Sequence, residues 1–378
     1  MKELFTFDDV LIVPKFSLIE SRADVSLKSN IRGLVLDALP VISANMDTVT
    51  GDNLSREMLK AGAQACIPRF GTISETILLF KAGSLYPAHT NITPMVSIGL
   101  GSNELERAEA LFASGAHTFV VDVAHGAQIG VVKQVKALRK ILGPDINVIV
   151  GNFASADTVK TFLDYCPEVD AFKIGIGPGS ACTTRVKTGV GYPQLSAVLE
   201  VAQLLKGSDI KVIADGGMKK PGDVAKALGA GAHMVMLGGM LAGTNETPGE
   251  IAYFNSKGVE TPKDHLFAKR ILEDGSLQYI IHDPSDSSYT MLKKYRGSAS
   301  QESYESQGKV GKHRTAEGES FLVPCKGSVA DVLQDIEGGI RSAMTYVGAK
   351  NLKEFHSRVE FVRISNATQA ENGAHGKK

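Results

Sequence analysis

The chain has 378 residues, 43% hydrophobic and 22% charged, proportions that fit a folded enzyme-sized core and exclude a disordered or fibrous chain. Its 41 basic and 41 acidic residues cancel, so no global charge argues for nucleic acid or a membrane surface. Four scattered cysteines form no CxxC pair, Met1-Lys2-Glu3-Leu4 opens no apolar run and no stretch has spanning length; zinc sites, disulfide frameworks, signal peptides and membrane helices are therefore not expected, and the expected location is cytoplasmic.

Short β-rich runs recur with helical patterns between them. A strand at 40–43 leads through Asn45-Met46-Asp47 to a helix at 53–61. Strands at 65–68, 94–98 and 118–123 precede helices at 74–82, 104–114 and 129–142. The fourth strand closes on Asp122-Val123-Ala124-His125, where a lone rim histidine is as much at home on a surface as in catalysis. Strands at 147–150, 171–174, 211–214 and 234–237 follow, with helices at 155–165, 192–205 and 222–229 and a last amphipathic helix at 328–346. Strands alternating with helices read as βαβ units, and eight of them read as a closed (β/α)8 TIM barrel. An open doubly wound sheet is the runner-up, but no G-x-G-x-x-G follows the first strand.

The rhythm breaks from 248 to 327, which holds no clear strand–helix unit. A long segment after the eighth strand emerges at the catalytic face of a barrel and is expected to be a lid. Residues 1–365 are read as one catalytic domain and the polar 366–378 as a disordered tail.

The most informative stretch follows the strand at 171–174. It runs Gly175-Ile176-Gly177-Pro178-Gly179-Ser180-Ala181-Cys182-Thr183-Thr184-Arg185. Glycines and a proline let the backbone turn sharply and approach a ligand. A lone cysteine usually behaves as a small hydrophobe. One presented with hydroxyls at the end of a strand reads instead as a covalent catalytic loop. Asp215-Gly216-Gly217 and Gly238-Gly239 end the seventh and eighth strands, where barrels bind phosphate through backbone N–H groups. The Asp215 carboxylate suits a ribose diol.

Together the loop at 175–185, its continuation Lys187-Thr188-Gly189-Val190-Gly191-Tyr192-Pro193-Gln194, Ser43-Ala44-Asn45-Met46-Asp47, Asp215-Gly216-Gly217 and Gly238-Gly239-Met240 resemble the IMP dehydrogenase and GMP reductase family. The resemblance runs from Phe7-Asp8-Asp9-Val10 to Val362-Arg363-Ile364; a longer segment at 251–295 and the tail depart from it. Pro68-Arg69-Phe70 runs straight into the next helix, so the regulatory CBS module of many dehydrogenases is absent. No Arg-Tyr pair, the water-activating dipeptide of dehydrogenases, lies between Gly297 and Gly318. Tyr192-Pro193-Gln194-Leu195-Ser196 and Arg341 to Gly348 also resemble the reductase versions. The resemblance therefore implies the reductase branch, converting GMP to IMP and ammonia with NADPH. A dehydrogenase without CBS domains, turning IMP and NAD into XMP, is the alternative. Outside the family, the same glycine motifs admit a flavin-binding barrel or a non-catalytic nucleotide-binding protein.

The resemblance assigns roles residue by residue. Cys182 is the implied nucleophile on purine C2, with Thr184 and Glu317 protonating the departing amine. GMP or IMP would lie against Ser180, Asp215, Gly216, Gly217, Gly238, Gly239, Gly297, Ser298 and Ala299, with Arg314, Thr315, Ala316, Glu317 and Gly318 closing over the base. NADPH would meet Ser21, Arg22, Arg69 (where a lysine is expected), Asp122, Val123, Ala124, Ile176, Gly177, Ser298, His313 and Arg314. Ser342, Ala343, Met344 and Thr345 would join from a neighbouring subunit of a homotetramer. Backbone carbonyls of Gly177, Gly179 and Cys182, with Arg185 beside them, are the implied site for K⁺.

Overall fold

Each of the eight predicted strands forms, and each divides its side chains between two cores. The structure, a computed structural model, describes residues 1–32, 34–36, 38–85, 92–255, 260–261, 267–271, 277–281, 289–307, 315–365 and 368. The strands are β1 Val41–Ser43, β2 Gln64–Ile67, β3 Met95–Ile98, β4 Thr118–Asp122, β5 Asn147–Phe153, β6 Ala171–Ile174, β7 Lys211–Asp215 and β8 Met234–Leu237. Neighbours pair in parallel in chain order, and β8 pairs with β1, closing the barrel. The helices are α1 Asp52–Lys60, α2 Ile73–Ser84, α3 Ser102–Ala113, α4 Ile129–Leu142, α5 Ala156–Tyr165, α6 Gln194–Leu204, α7 Pro221–Gly229 and α8 Val329–Val347. The predicted ends differ by three residues at most, the largest difference being the extension of β5 to Phe153.

Period-two alternation explains the layering. Phe119 and Val121 of β4, Val148 and Val150 of β5, Phe172 and Ile174 of β6, and Val212 and Ala214 of β7 face the helices. Val120, Ile149, Ala171 and Ile213 fill the barrel interior. One pleat further on, the same inward rows carry Asp122, Lys173 and Asp215, so polar groups crown a hydrophobic plug at the C-terminal ends of the strands. An antiparallel pair, Ser29–Ile31 with Leu34–Leu36, closes the other end, where Ile31 and Leu36 are fully buried in the interior cluster.

The segment after β8, read above as a lid with no clear strand–helix unit, carries antiparallel strands. It holds β9 Ile251–Asn255, β10 Glu260–Thr261, β11 Phe267–Ile271, β12 Leu277–Ile281, β13 Tyr289–Arg296 and β14 Ser320–Pro324. Four of these form an antiparallel sheet in the order β10-β9-β13-β14, and β11 pairs with β12. The sequence disguises β13 because one inward position is a lysine. Lys293 and Tyr295 are both buried while Lys294 between them is exposed. The Lys293 ammonium donates to the carbonyls of Thr244, Asn245 and Thr247 at 2.8–3.1 Å, which offsets its burial and ties the sheet to the turn after β8. Most of 366–378, the expected disordered tail, lies outside the described residues. Among the described residues no helix is long and apolar enough to cross a membrane.

At the closed end of the barrel His233 stacks edge-on against His356, ring centroids 5.4 Å apart. His233 Nδ1 accepts from the Val212 N–H, and His356 lies 3.0 Å from the Ala232 carbonyl. Burial, helped by His356 and Lys211, pulls the His233 imidazole down to about 3. Burial also lowers His356. The unfolded chain takes up these protons near pH 6.5 while the folded chain resists, so stability is full above that pH and falls as pH drops toward 3. Unfolding midpoints between pH 7 and pH 4.5 should show this slope, and His233→Gln should flatten it. An unchanged slope in the variant would place the acid sensitivity elsewhere.

Candidate active site

The cysteine loop is shaped by glycines that nothing else can replace. Gly175 has φ 151°, and a methyl group there would lie 2.0 Å from the Asp215 carbonyl oxygen. At Gly177, φ 87°, a methyl would strike the Arg185 side chain, which also packs against Gly191. The Arg185 guanidinium donates to the Tyr192 carbonyl. The chain then turns, with Cys182 N–H donating to the Gly179 carbonyl at 3.0 Å, and enters a short helix, Thr184–Thr188.

A backbone ladder brings distant residues to this loop. Thr183 N–H donates to the Glu317 carbonyl at 2.8 Å and Glu319 N–H to the Ala181 carbonyl at 2.9 Å. On the other side Glu317 N–H donates to the Ala299 carbonyl at 3.1 Å and Gly297 N–H to the Glu319 carbonyl at 2.9 Å. The result is a side-chain relay. The Cys182 thiol reaches Thr184 Oγ1 at 3.2 Å, and the Thr184 hydroxyl donates to Glu317 Oε2 at 2.8 Å. Thiol, hydroxyl and carboxylate in series can pass a proton between the sulfur's neighbourhood and the carboxylate.

These groups open into a cavity of about 270 Å³ at the barrel mouth. Asp215, Gly216, Gly297, Ser298, Ala299, Gly318, Arg69, Asp122, Val123, Ala124, Ile176, Gly177 and Gly179 also line it. Ser180, Gly238 and Gly239 meet beneath it around a residue the sequence reading missed, Tyr295. Ser180 Oγ lies 3.3 Å from the Tyr295 hydroxyl. A methyl on Gly238 would come within 3.0 Å of that hydroxyl, and one on Gly239 within 2.7 Å of Ser180 Oγ. The backbone therefore approaches a hydroxyl-lined pocket floor closely, which suits an anion. Gly217, φ 83°, turns beside Pro178 and Gln194 and does not line the cavity.

The sequence reading also missed Asn152 and Lys173. Lys173 Nζ donates to Asp215 Oδ2 at 2.6 Å, lies 3.1 Å from Asp122 Oδ1 and also meets Asn152 Oδ1. Asn152 donates to Asp215 Oδ2 and to the Gly175 carbonyl. Burial works to raise the Asp122 carboxyl, but Lys173 and Arg69 outweigh it and hold the group below the ordinary carboxylate range. The one available signal was a lysine inside an otherwise apolar strand. Arg69 Nε is buried with no hydrogen-bond partner, beside Asp122 at the same end of the cavity. A free donor next to a carboxylate fits a carboxamide, the polar handle of a nicotinamide.

Other expected residues sit elsewhere. Ser21, Arg22, Ser342, Ala343, Met344 and Thr345 do not line this cavity of their own chain. Arg22 and Ser342 share a separate surface cleft with Asp331 and Gln334, and Met344 is fully buried in the core. Thr315 is exposed and Ala316 half-buried beside the ladder. His313 and Arg314 lie outside the described residues. For a monovalent cation the loop is an incomplete cage: the Gly179 carbonyl already accepts from Cys182, and the Arg185 arm fills the space beside Gly177.

Comparison with known proteins gives a consistent result. A family model described as the IMP dehydrogenase / GMP reductase domain matches residues 4–263 and 283–375. A protein named GMP reductase from Phytophthora infestans is 37% identical over 368 residues, 95% of this chain and 90% of the relative. One of the same name from Vibrio cholerae is 35% identical, covering 98% of this chain and 97% of the relative. One from Klebsiella pneumoniae is 37% identical, covering 95% and 94%. The stretch 264–282, which carries β11 and β12, falls outside the family model.

Thiol accessibility separates the four cysteines. Cys66 and Cys166 are buried while Cys182 and Cys325 are half-buried, and burial raises the Cys325 thiol. Iodoacetamide under native conditions should label Cys182 first and leave Cys66 and Cys166 until unfolding, as read by peptide mass spectrometry. Equal labelling of Cys182 and Cys66 would show that the cysteine loop does not present a usable nucleophile.

Proposed function

The chain belongs to the IMP dehydrogenase/GMP reductase family, and from that premise we propose that it is a GMP reductase: an oxidoreductase that converts GMP to IMP and ammonia, with NADPH as the reductant. The observation that carries this reading is the Cys182–Thr184–Glu317 relay at the mouth of the barrel. Its curated relatives carry that name. Between Gly297 and Gly318 the chain has no Arg-Tyr pair with which to turn the same covalent intermediate toward hydrolysis.

The residues divide the work as follows. GMP sits with its phosphate toward Ser180, Gly238, Gly239 and Tyr295 and its ribose hydroxyls on Asp215. Cys182, as thiolate, bonds to purine C2. The amino group on that carbon is a poor leaving group until it gains a proton, so Glu317, through Thr184, delivers one as the C2–N bond breaks and ammonia departs. NADPH, when bound, would supply the hydride that C2 needs; Cys182 then leaves C2 with the C2–S electron pair and IMP is released. Asp122 and Arg69 would hold the reductant's polar handle at their end of the cavity. The ladder through 317–319 covers this junction and limits water. A monovalent cation such as K⁺ would complete its ligand set from a neighbouring subunit, as would the contacts expected of Ser342 to Thr345.

Mixing the protein with GMP and NADPH should consume reduced cofactor and form IMP. XMP made from IMP and NAD⁺ at a comparable rate would instead favour the dehydrogenase reading. Cys182→Ala should abolish turnover while GMP affinity stays within about tenfold, because the covalent step is lost and the phosphate pocket remains.

Glu317→Gln separates the two half-reactions. GMP turnover should fall by about 10²–10⁴-fold, the usual contribution of a general acid. With IMP and NADP⁺ the variant should still form one equivalent of reduced cofactor per site in a single burst, then stall because ammonia cannot add efficiently. A burst slowed as much as GMP turnover would assign Glu317 to the hydride step.

A further inference from the structure

Three barrel strands send a polar side chain to one nitrogen carried by a fourth, Lys173 Nζ. Asp122 ends β4, Asn152 lies in β5, Lys173 in β6 and Asp215 ends β7. All four line the cavity, and Lys173 is only 2% exposed. The close packing is built in: Lys173 stands beside Gly151 in the parallel register, and a methyl group at 151 would lie 2.7 Å from Lys173 Cβ. We infer that Lys173 is a positioning residue that couples the two ligand subsites. Its single ammonium holds the carboxylate that takes the nucleotide ribose and the carboxylate that faces the reductant in one ionised arrangement. The inference rests on the nucleotide reading above and adds to it a residue with no direct substrate contact.

The charges support this assignment. Two carboxylates sharing one ammonium repel each other, and without a cation between them one would take up a proton near neutral pH. The other groups around the pair do not replace it. Cys66, beneath in β2, is fully buried with its thiol raised by that burial, so it stays neutral. Tyr295, on the Asp215 side, is also raised by burial and stays neutral. Arg69 acts on Asp122 from the opposite side and is not a hydrogen-bond partner of Asp215. Burial alone would strip Lys173 of its proton, but Asp215 and Asp122 hold it charged, well above the usual lysine range. One ammonium thus bridges the two carboxylates, held charged by both and helping to keep Asp122 below the ordinary carboxylate range.

The test compares wild type, Lys173→Met and Lys173→Met/Asp122→Asn. GMP binding, measured by calorimetry between pH 6 and pH 9, should be nearly flat with pH in the wild type. In Lys173→Met it should weaken by at least about tenfold, one pKa unit's worth, and become pH-dependent. The double variant, with one carboxylate removed, should regain affinity and the flat profile. A purely structural lysine predicts additive losses and no rescue.

Thermal melts without ligand give an independent reading. The folded Lys173→Met variant keeps a carboxyl proton that the unfolded chain loses above about pH 4, so its midpoint should fall as pH rises through neutrality. The double variant should lose that trend. If Lys173→Met does not fold, recovery of folding in the double variant is the same rescue, and failure of both overturns the inference. Melts that track the wild type at every pH also overturn it. Wild type that binds no GMP would instead overturn the nucleotide reading, while the melts still decide whether the ammonium balances the pair.

Discussion

The site depends on a backbone ladder. Residues 317–319 lie between the cysteine loop and the 297–299 segment, bonded to both. Thr184 and Glu317 are 133 residues apart, and closing a flexible loop of that length costs roughly 4 kcal/mol in chain entropy. One hydrogen bond, at about 1 kcal/mol net, would not offset that; the four across the ladder are of the right size. The ladder also fixes orientation. Because Thr183 and Glu317 are joined through the backbone, the hydroxyl of the next residue and the carboxylate of its partner meet without either side chain searching for the other.

The ladder is held from behind by the antiparallel sheet that follows the barrel. Lys293 fastens β13 to three carbonyls of the turn after β8. Three residues on, Arg296 makes a two-pronged ion pair with Asp47, while its N–H donates to Thr48. Tyr295, between them, reaches Ser180 and packs edge-on against Phe321 of β14. A buried cation, a fork-shaped ion pair and a tyrosine hydroxyl thus attach the sheet to barrel loops after strands β1, β6 and β8. The Gly297 to Ala299 turn is carried to the mouth as a consequence. The antiparallel pair β11 and β12, outside the family model, is a separate two-stranded sheet and not part of the barrel itself.

The chemistry divides across the cavity. The sulfur, hydroxyl and carboxylate relay lies on one side, and the Lys173 cluster with Arg69 lies on the other. The first side handles protons and a covalent bond; the second is a set of charges fixed by mutual pairing.

The sequence by itself determined the barrel. Eight apolar strands and their helices were legible because period-two and period-3.6 patterns are local, and burial on both faces makes parallel strands read as apolar runs. It also determined the cysteine loop, since Gly175 and Gly177 are required by backbone geometry that the local sequence announces. The sheet after β8 was not legible, because Lys293 occupies an inward position and a charged residue there reads as surface. Nor were Lys173, Asn152 and Tyr295 assigned roles. Each is defined by partners on other strands, and the distance from Lys173 to Asp215 or from Tyr295 to Ser180 exists only once the barrel has closed. Only the tertiary structure decided which polar residues share a space, because side-chain pairing across a barrel depends on register and closure, and neither is written in any single segment.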